Sequence, residues 1–268
     1  MMKQITSATN AKIKLAAALE RRKRREETGL CIAEGVRLCE MAAASDWRIS
    51  FGLCTAAAAK NARVRRLLAE LEKRQAEIFE VSEEIYKKAA ATVEPQGVML
   101  VLEQKQSSLQ SLAEAGAPLW VVLDGVQDPG NAGTIIRTAD AAGCTAVILL
   151  DGAADAFNAK TLRSGMGSHF HLPVVTHVTQ EELLAELHKR EMKLWATALD
   201  AEAQPHFAAD YRQPCAIVFG NEGNGISAAI SDNSAHVFIP MRGQTESLNV
   251  AGAAAVVLYE TMRQRYYN

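Results

Sequence analysis

Three loops in the second half of the chain carry polar residues that could do chemistry. The first runs from Leu123 to Gly143 and sets Asn131 and Arg137 six residues apart at the start of a helical pattern. An arginine among the apolar residues of such a pattern is oddly placed for solubility alone. We expect both side chains to reach the loop side of the helix. The alternative is a turn followed by an exposed arginine that has no function.

The second loop, from Phe219 to Ser227, holds Gly220, Gly223 and Gly225 within six residues. Glycines permit backbone geometries closed to other residues and let a ligand approach the main chain. Their spacing matches neither a dinucleotide fingerprint nor a phosphate-binding loop with its lysine, so neither a dinucleotide nor a triphosphate is implied. Glu222 is the one ionisable group of this turn, and it is either a functional acid or an ordinary loop acid.

The third loop lies within Phe238 to Glu260, where a strand pattern ends at Pro240 and a long helical pattern follows. Ser247 is predicted to cap that helix, whose first turns consist of small residues that allow close approach of another backbone. Ser247 and Asn249 would leave side-chain and backbone donors facing the preceding loop. That position suits a carboxylate or another polar group of a ligand.

The elements that must position these loops are near-continuous apolar runs, which are typical of strands covered on both faces. They span residues 119–124, 145–150, 172–177, 193–199 and 215–220. Helical patterns lie between them at 132–142, 159–164 and 180–191. The alternation predicts a parallel, doubly wound α/β sheet, in which ligands bind beyond the carboxyl ends of the strands.

The first half of the chain predicts a smaller α/β domain. Helices are expected at 10–27, with Asn10 as the cap, and at 61–75; strands are expected at 48–54, 78–81 and 98–103. A polar stretch at 106–118 then reads as a linker. The chain therefore divides into a domain of residues 1–105 and a domain of residues 119–268, as its length of 268 residues also favours.

The net charge of −2 hides two different halves. Residues 1–105 carry 19 Lys and Arg against 14 Asp and Glu, whereas residues 106–268 carry 10 against 17. Part of the excess is a basic run of five consecutive residues, Arg21, Arg22, Lys23, Arg24 and Arg25. Such asymmetry indicates a polyanion partner for the first half, although an isolated basic run is more often a solvated helix face.

The three loops, taken together and in this order, resemble motifs 1, 2 and 3 of the SpoU (TrmH-like) RNA 2'-O-ribose methyltransferases of the SPOUT superfamily. The matching stretches are NAGTIIRTADAAG, IVFGNEGNGIS and IPMRGQTESLNVAGAAAVVLYE. In the first half, ITSATNAKIK, AEGVRL and EPQGVMLVL look like the RNA-binding domain of many members, which is similar in fold to a kink-turn-binding ribosomal protein. The resemblance implies a C-terminal methyltransferase domain with a mostly parallel sheet and a trefoil knot.

The resemblance also implies a cofactor, S-adenosylmethionine, and a homodimer in which the arginine of motif 1 completes the partner's active site. Carried over by position, the cofactor-binding residues are Gly220, Asn221, Glu222, Gly223, Ile239, Pro240, Met241, Ser247, Leu248 and Asn249. The catalytic residues are Arg137, as the central one, with Asn131, Glu222, Ser247 and Asn249. Because arginine stays protonated, holding a phosphate or stabilising an alkoxide suits Arg137 at least as well as acting as a base.

With this resemblance the basic run, Arg21 to Arg25, becomes a candidate RNA contact. The expected substrate is structured RNA, above all ribosomal RNA; transfer RNA, or a non-catalytic role in RNA binding and ribosome assembly, is the alternative. No metal is expected, because His169 and His171 lack a suitably spaced carboxylate or cysteine. Neither a signal peptide nor a membrane-spanning run is evident, and the five cysteines form no CxxC pair, so we expect a cytoplasmic protein with reduced thiols and no membrane partner.

Overall fold

The computed structural model describes residues 2–113, 116–198 and 202–267. Within these ranges the chain forms two compact units. The first comprises residues 2–105 and 157–170, and the second comprises the described residues of 106–156 and 171–267. The division at residue 105 coincides with the start of the predicted linker. Segment 157–170, which lies within the predicted domain 119–268, belongs to the first unit because the rings of Phe157 and Phe170 pack on Trp47.

The first unit is an α/β structure built on a five-stranded mixed sheet of order β1-β4-β3-β5-β2. Strands β1, β4 and β3 pair in parallel, whereas β5 is antiparallel to both β3 and β2. The strands are β1 (Lys3–Ile5), β2 (Leu30–Glu34), β3 (Ile49–Thr55), β4 (Ile78–Val81) and β5 (Val98–Glu103). The helices are α1 (Ala11–Ala18), α2 (Arg22–Thr28), α3 (Val36–Ala44), α4 (Ala62–Lys73), α5 (Glu83–Ala89) and, from the later segment, α7 (Ala159–Gly165).

The helix predicted over 10–27 is instead two helices, α1 and α2. Asn10 caps the first as expected, accepting a hydrogen bond from the backbone of Lys12 at 2.9 Å. The chain then turns at residues 19–21, where the guanidinium of Arg25 donates to the carbonyls of Leu19 and Glu20 at 2.6 and 2.7 Å. The side chain of Arg25 satisfies the hydrogen-bonding requirement of these two carbonyls, so the helix can end here without leaving them unpaired. The prediction of one helix is therefore wrong.

The second unit confirms the parallel sheet. Its seven strands follow the order β10-β12-β9-β11-β6-β7-β8, and each neighbouring pair described is parallel. They are β6 (Leu119–Asp124), β7 (Ala146–Leu150), β8 (Val174–Val178), β9 (Lys193–Thr197), β10 (Gln204–Pro205), β11 (Cys215–Gly220) and β12 (Ala235–Phe238). The helices are α6 (Pro129–Ala141), α8 (Gln180–Lys189), α9 (Ala228–Ser231) and α10 (Val250–Tyr266).

The apolar runs form the centre of this sheet. Every residue of β6 and β7, and all but the last of β11, is buried. Since β11 lies between β6 and β9, the loops that follow these strands leave from one edge of the sheet. The trefoil knot that the family resemblance implies stays a prediction.

All five cysteines are free and buried, which agrees with the expected reduced thiols. Burial raises the pKa of Cys54 and that of Cys215 to about 11, so both stay protonated at neutral pH. Among the described residues, no helix is both long and apolar enough to cross a bilayer.

Candidate active site

The turn between β6 and α6 places Asn131 in the first turn of the helix. Asp128 caps α6, accepting a hydrogen bond from the backbone N–H of Asn131 at 2.8 Å. Pro129 occupies the first helical position, where its missing N–H costs nothing. The helix therefore begins three residues earlier than the periodicity predicted.

The loop after β11 folds around the side chain of Asn221. Its Oδ1 accepts from the backbone of Gly223 and Asn224, each at 2.9 Å, and its Nδ2 donates to the carbonyl of Gly125 at 2.7 Å. A Cβ added to Gly220 would lie 2.5 Å from the backbone of Gly225, so only glycine fits there. This loop is thus rigidly attached to the turn that follows β6.

Asp124, the last residue of β6, holds the other end of the same loop. Its carboxylate is buried and accepts two hydrogen bonds from Ser227, from the backbone at 2.8 Å and from the hydroxyl at 2.7 Å. Asp124 at the end of β6 and Gly125 directly after it therefore hold the two ends of the segment that carries Glu222.

Asn249, and not Ser247, caps the long helix α10. Its Oδ1 accepts from the backbone of Ala251 at 3.0 Å, whereas the carbonyl of Ser247 lies in the preceding loop and accepts from the hydroxyl of Thr245 at 3.0 Å. The prediction that Ser247 caps α10 is wrong, because asparagine is an equally good cap and stands two residues closer to the helix.

The three predicted motifs meet in one chain of hydrogen bonds. Nδ2 of Asn249 donates to Oδ1 of Asn131 at 3.2 Å, and Nδ2 of Asn131 donates to Oε1 of Glu222 at 2.7 Å. Because the Oδ1 of Asn249 is already held by the helix backbone, each amide in the chain has only one consistent orientation. The chain fixes the carboxylate of Glu222.

A cavity of about 430 Å³ opens beside this chain. Two carboxylates, Glu222 and Glu246, lie in its lining together with an apolar wall that includes Phe238 and Leu248. Eight of the ten predicted cofactor residues line it, namely Gly220, Asn221, Glu222, Ile239, Met241, Ser247, Leu248 and Asn249; Gly223 and Pro240 do not.

The sequence missed several other lining residues, namely Thr197, Ala198, Gly225, Val237, Phe238, Glu246, Val250 and Ala253. Thr197 is the last residue of β9 and Ala198 follows it, so the rule that ligands bind beyond the carboxyl ends of parallel strands would have found both.

The comparisons with known proteins agree with this geometry. The sequence model of the SpoU rRNA methylase family matches residues 118–259, and that of an MRM3-like substrate-binding domain matches residues 10–100. The chain belongs to the SpoU rRNA methylase family. As a member of that family, this SpoU methylase is an S-adenosylmethionine-dependent RNA methyltransferase.

The relatives and solved structures cover nearly the whole of this SpoU methylase. It is 39% identical over 96% of its length to the 23S rRNA (guanosine(2553)-2'-O)-methyltransferase RlmP of Bacillus subtilis, of which 98% is covered. It is also similar to the S-adenosylmethionine-bound rRNA methyltransferase of Sinorhizobium meliloti, with a TM-score of 0.87, 32% identity and 98% of each chain covered. The SpoU methyltransferase AviRb of Streptomyces viridochromogenes, with 30% identity, gives a TM-score of 0.86 over 96% of this chain and 98% of that one.

Arg137 does not join the cavity of its own chain. It is exposed on α6 and has no hydrogen-bond or ion-pair partner among the described residues. Six residues along a helix turn the side chain by about 240° from Asn131. The expectation that both side chains reach the loop side of α6 stays a prediction.

The basic run of this SpoU methylase divides into exposed and buried members. Arg21, Arg22, Lys23 and Arg24 are exposed, and two of them form ion pairs along α2, Arg22 with Glu26 at 2.7 Å and Arg24 with Glu27 at 3.0 Å. Arg25 is only 3% exposed, and its guanidinium donates hydrogen bonds to the backbone carbonyls of Leu19 and Glu20. Arg25 is a structural residue, so we remove it from the predicted RNA contacts.

Proposed function

We propose that this SpoU methylase transfers a methyl group from S-adenosylmethionine to the ribose 2'-hydroxyl of a guanosine in 23S ribosomal RNA. The observation that carries the proposal is the fixed carboxylate of Glu222, held by Asn131 at the mouth of an S-adenosylmethionine-sized cavity. The relatives from Bacillus subtilis and from Xylella fastidiosa, the latter a 23S rRNA (guanosine-2'-O-)-methyltransferase, favour this substrate. A ribosomal substrate also supports the cytoplasmic location expected from the sequence.

The lining of the cavity suits this cofactor. A volume of about 430 Å³ lies within the range of small-molecule sites, roughly 300–1,000 Å³. The carboxylates of Glu222 and Glu246 can accept hydrogen bonds from ribose hydroxyls or an ammonium group, and Phe238 and Leu248 offer an apolar surface to a base.

When bound, the cofactor supplies a methyl group already activated on a positively charged sulfur. One carbon–sulfur bond breaks, one carbon–oxygen bond forms, and the proton of the 2'-hydroxyl leaves. The protein therefore has to position that hydroxyl, exclude water and accept or stabilise charge. Glu222 is the held acceptor for the hydroxyl or its proton, and Asn131 and Asn249 keep it in place.

We place Arg137 in the active site of a second copy of the chain, within a homodimer. Arg137 is exposed on α6, which packs against α10. The same helix α10 exposes Val256, Tyr259 and Tyr266, an apolar stripe with helical spacing. A two-fold interface over these helices would cover the stripe and turn each arginine toward the partner. There the guanidinium would hold the phosphate next to the reacting ribose or stabilise the developing alkoxide.

The first test is Arg137→Ala. We expect it to abolish turnover while the affinity for S-adenosylmethionine stays unchanged, because the residue lies outside the cavity. Transfer of labelled methyl groups to ribosomal and transfer RNA, with mapping of the methylated ribose, measures turnover and substrate together. Near-normal methylation by this variant, or methylation of transfer RNA alone, would contradict the proposal.

A mixing experiment tests the partner contribution. Arg137→Ala and Glu222→Ala, each inactive alone, would form hybrid dimers in which one site holds both wild-type residues. Random exchange of subunits should then restore about one quarter of wild-type activity. No recovery after confirmed exchange would show that Arg137 acts within its own chain.

A further inference from the structure

The first unit contains a second cavity, also of about 430 Å³, whose function the resemblance does not assign. It lies between the start of α3, the loop after β3 and the loop before β5. Its polar lining consists of Arg37, Asn61, Arg63 and Gln96, and the remaining lining is valine and alanine. No carboxylate belongs to this lining, so every polar side chain that faces the cavity can donate hydrogen bonds.

The two amides in this cavity have their acceptor ends occupied and their donor ends available. Oδ1 of Asn61 accepts from the backbone of Arg63 at 2.8 Å and so caps α4. Oε1 of Gln96 accepts from the backbone of Val36 at 2.8 Å. Neither amide nitrogen has a partner among the described residues. A ligand rich in acceptor atoms is what these two nitrogens can bind.

The arginines at the cavity carry more positive charge than their surroundings neutralise. Glu40 accepts from Nε of Arg63 at 3.0 Å, and the hydrogen bond from Arg63, followed by the charges of Arg63, Arg66 and Arg37, lowers the pKa of Glu40. Three arginines therefore act on the carboxylate of Glu40, and of these only Arg63 is hydrogen-bonded to it. Arg37 and Arg66 have no hydrogen-bond or ion-pair partner among the described residues.

The walls of this cavity are held in place before any ligand arrives. The buried Thr55 donates its backbone N–H to the carbonyl of Gly97 at 2.9 Å, and its hydroxyl accepts from the backbone of Ala58 at 3.1 Å. The two loops that carry Gln96 and Asn61 are thus fastened to the end of β3. A preformed site loses less entropy on binding than one that must order itself.

We propose that this cavity binds one unstacked nucleotide of the RNA substrate, with its phosphate on Arg37 and the acceptor atoms of its base on Asn61 and Gln96. The valines and alanines of the lining offer an apolar surface to the base. Recognition of RNA commonly uses bases splayed out of a loop or bulge, which a protein can reach from their edges. This inference rests on the proposed function, since it names a contact of the same RNA.

The test compares two substitutions of the same kind in full-length protein. Asn61→Asp keeps the oxygen that caps α4 and replaces the donating nitrogen by a charged oxygen. Asn10→Asp makes the same exchange at the cap of α1, outside the cavity. We expect Asn61→Asp to weaken binding of deproteinised 23S ribosomal RNA by about tenfold or more, because a carboxylate cannot donate to the acceptor atoms of the base and leaves them unpaired. Asn10→Asp should stay within about threefold of wild type.

A salt titration provides an independent measurement. Arg37→Ala should reduce the slope of log affinity against log salt by about 0.7–0.9, the contribution of one phosphate. Arg48→Ala, which removes an exposed arginine already paired with Glu103, is the control and should leave the slope almost unchanged. The affinity for S-adenosylmethionine should be the same in all four variants, since that cavity belongs to the other unit.

If Asn61→Asp and Asn10→Asp weaken RNA binding equally, the loss comes only from the added negative charge, and the proposal is overturned. Loss of guanosine monophosphate binding in Asn61→Asp with unchanged RNA binding would identify a free nucleotide as the ligand and overturn it as well. If RNA binding depends on Asn61 but the wild type methylates no RNA, the cavity assignment stands and the proposed function fails. If the wild type methylates RNA and Asn61→Asp does so with an unchanged KM, only the cavity assignment fails.

Discussion

The two cavities of this protein have the same volume and opposite linings. The cavity of the second unit has the carboxylates of Glu222 and Glu246 in its wall, whereas that of the first unit has the guanidinium groups of Arg37 and Arg63 and no carboxylate. Carboxylates accept hydrogen bonds from hydroxyl and ammonium groups, and guanidinium groups donate to phosphates. The two cavities therefore differ in charge and hydrogen-bonding capacity, and not in size, as expected if one binds the cofactor and the other binds RNA.

Each cavity has in its lining one asparagine that also caps a helix. Asn249 caps α10 and Asn61 caps α4, and in each case Oδ1 is held by the helix backbone. The amide nitrogen of Asn249 is then used within the protein, where it fixes Asn131 and through it Glu222. That of Asn61 has no partner among the described residues. One capping arrangement thus orders the carboxylate of Glu222 in one unit and leaves a hydrogen-bond donor without a partner among the described residues in the other.

The largest expected effect concerns the carboxylate of the cofactor cavity. Glu222→Gln keeps the shape of the side chain and an oxygen for Asn131 but removes the negative charge. We expect kcat to fall by about 100-fold, the usual result of losing one electrostatic contribution to a transition state. Binding of 23S ribosomal RNA should not change. Glu181→Gln, an exposed acid in the first turn of α8, is the control, and methyl transfer within threefold of it would contradict the role of Glu222.

A smaller effect is expected from the buried contact that holds the cofactor loop. Ser227→Ala removes one of the two hydrogen bonds to Asp124 and should lower the free energy of unfolding by about 1 kcal/mol. The KM for S-adenosylmethionine should rise because the loop that carries Glu222 is less well held. Ser227→Thr restores the hydroxyl and should recover the KM. Unfolding by urea and steady-state kinetics measure the two effects, and an unchanged KM in the alanine variant would show that the contact only stabilises the fold.

The smallest expected effect concerns the charge around the cavity of the first unit. Glu40→Gln removes the one carboxylate among its arginines, so the affinity for 23S ribosomal RNA should rise by about threefold, as expected for an exposed charge pair. Asp46→Asn, which removes an exposed acid paired with Lys105 in the same unit, is the control. Equal gains in both variants, measured at one salt concentration, would mean that only the net charge of the unit matters.

Much of the fold could be predicted because the central strands of the parallel sheet, β6, β7 and β11, are buried on both faces. Strands β6 and β11 have the predicted bounds, and β7 and β9 differ by one or two residues at an end. Hydrophobic runs report burial directly, whereas helix ends depend on which polar atom caps them. Ser247 and Asn249 are both good caps, and sequence alone cannot tell which one the backbone uses.

The candidate site was also predicted only in part. Asn131, Glu222 and Asn249 lie in motifs that the sequence marks by their polar residues and by resemblance to a known family, and hydrogen bonds join them in the structure. The direction of Arg137 could not be predicted, because it depends on the phase of α6 relative to the rest of the unit. The buried role of Arg25 was equally hidden, since a basic run looks alike whether its members face water or backbone carbonyls.

The sequence by itself determined the family, the parallel sheet, the excess of basic residues in the first half and the residue types available for chemistry. These properties follow from composition, periodicity and local motifs, which act over a few residues at a time. Only the tertiary structure decided which amide nitrogens are used and which are left for a ligand, because that depends on partners far apart in the chain, such as Asn131 and Glu222. It also separated a cavity of carboxylates from a cavity of arginines, since the walls of each come from several loops that only folding brings together.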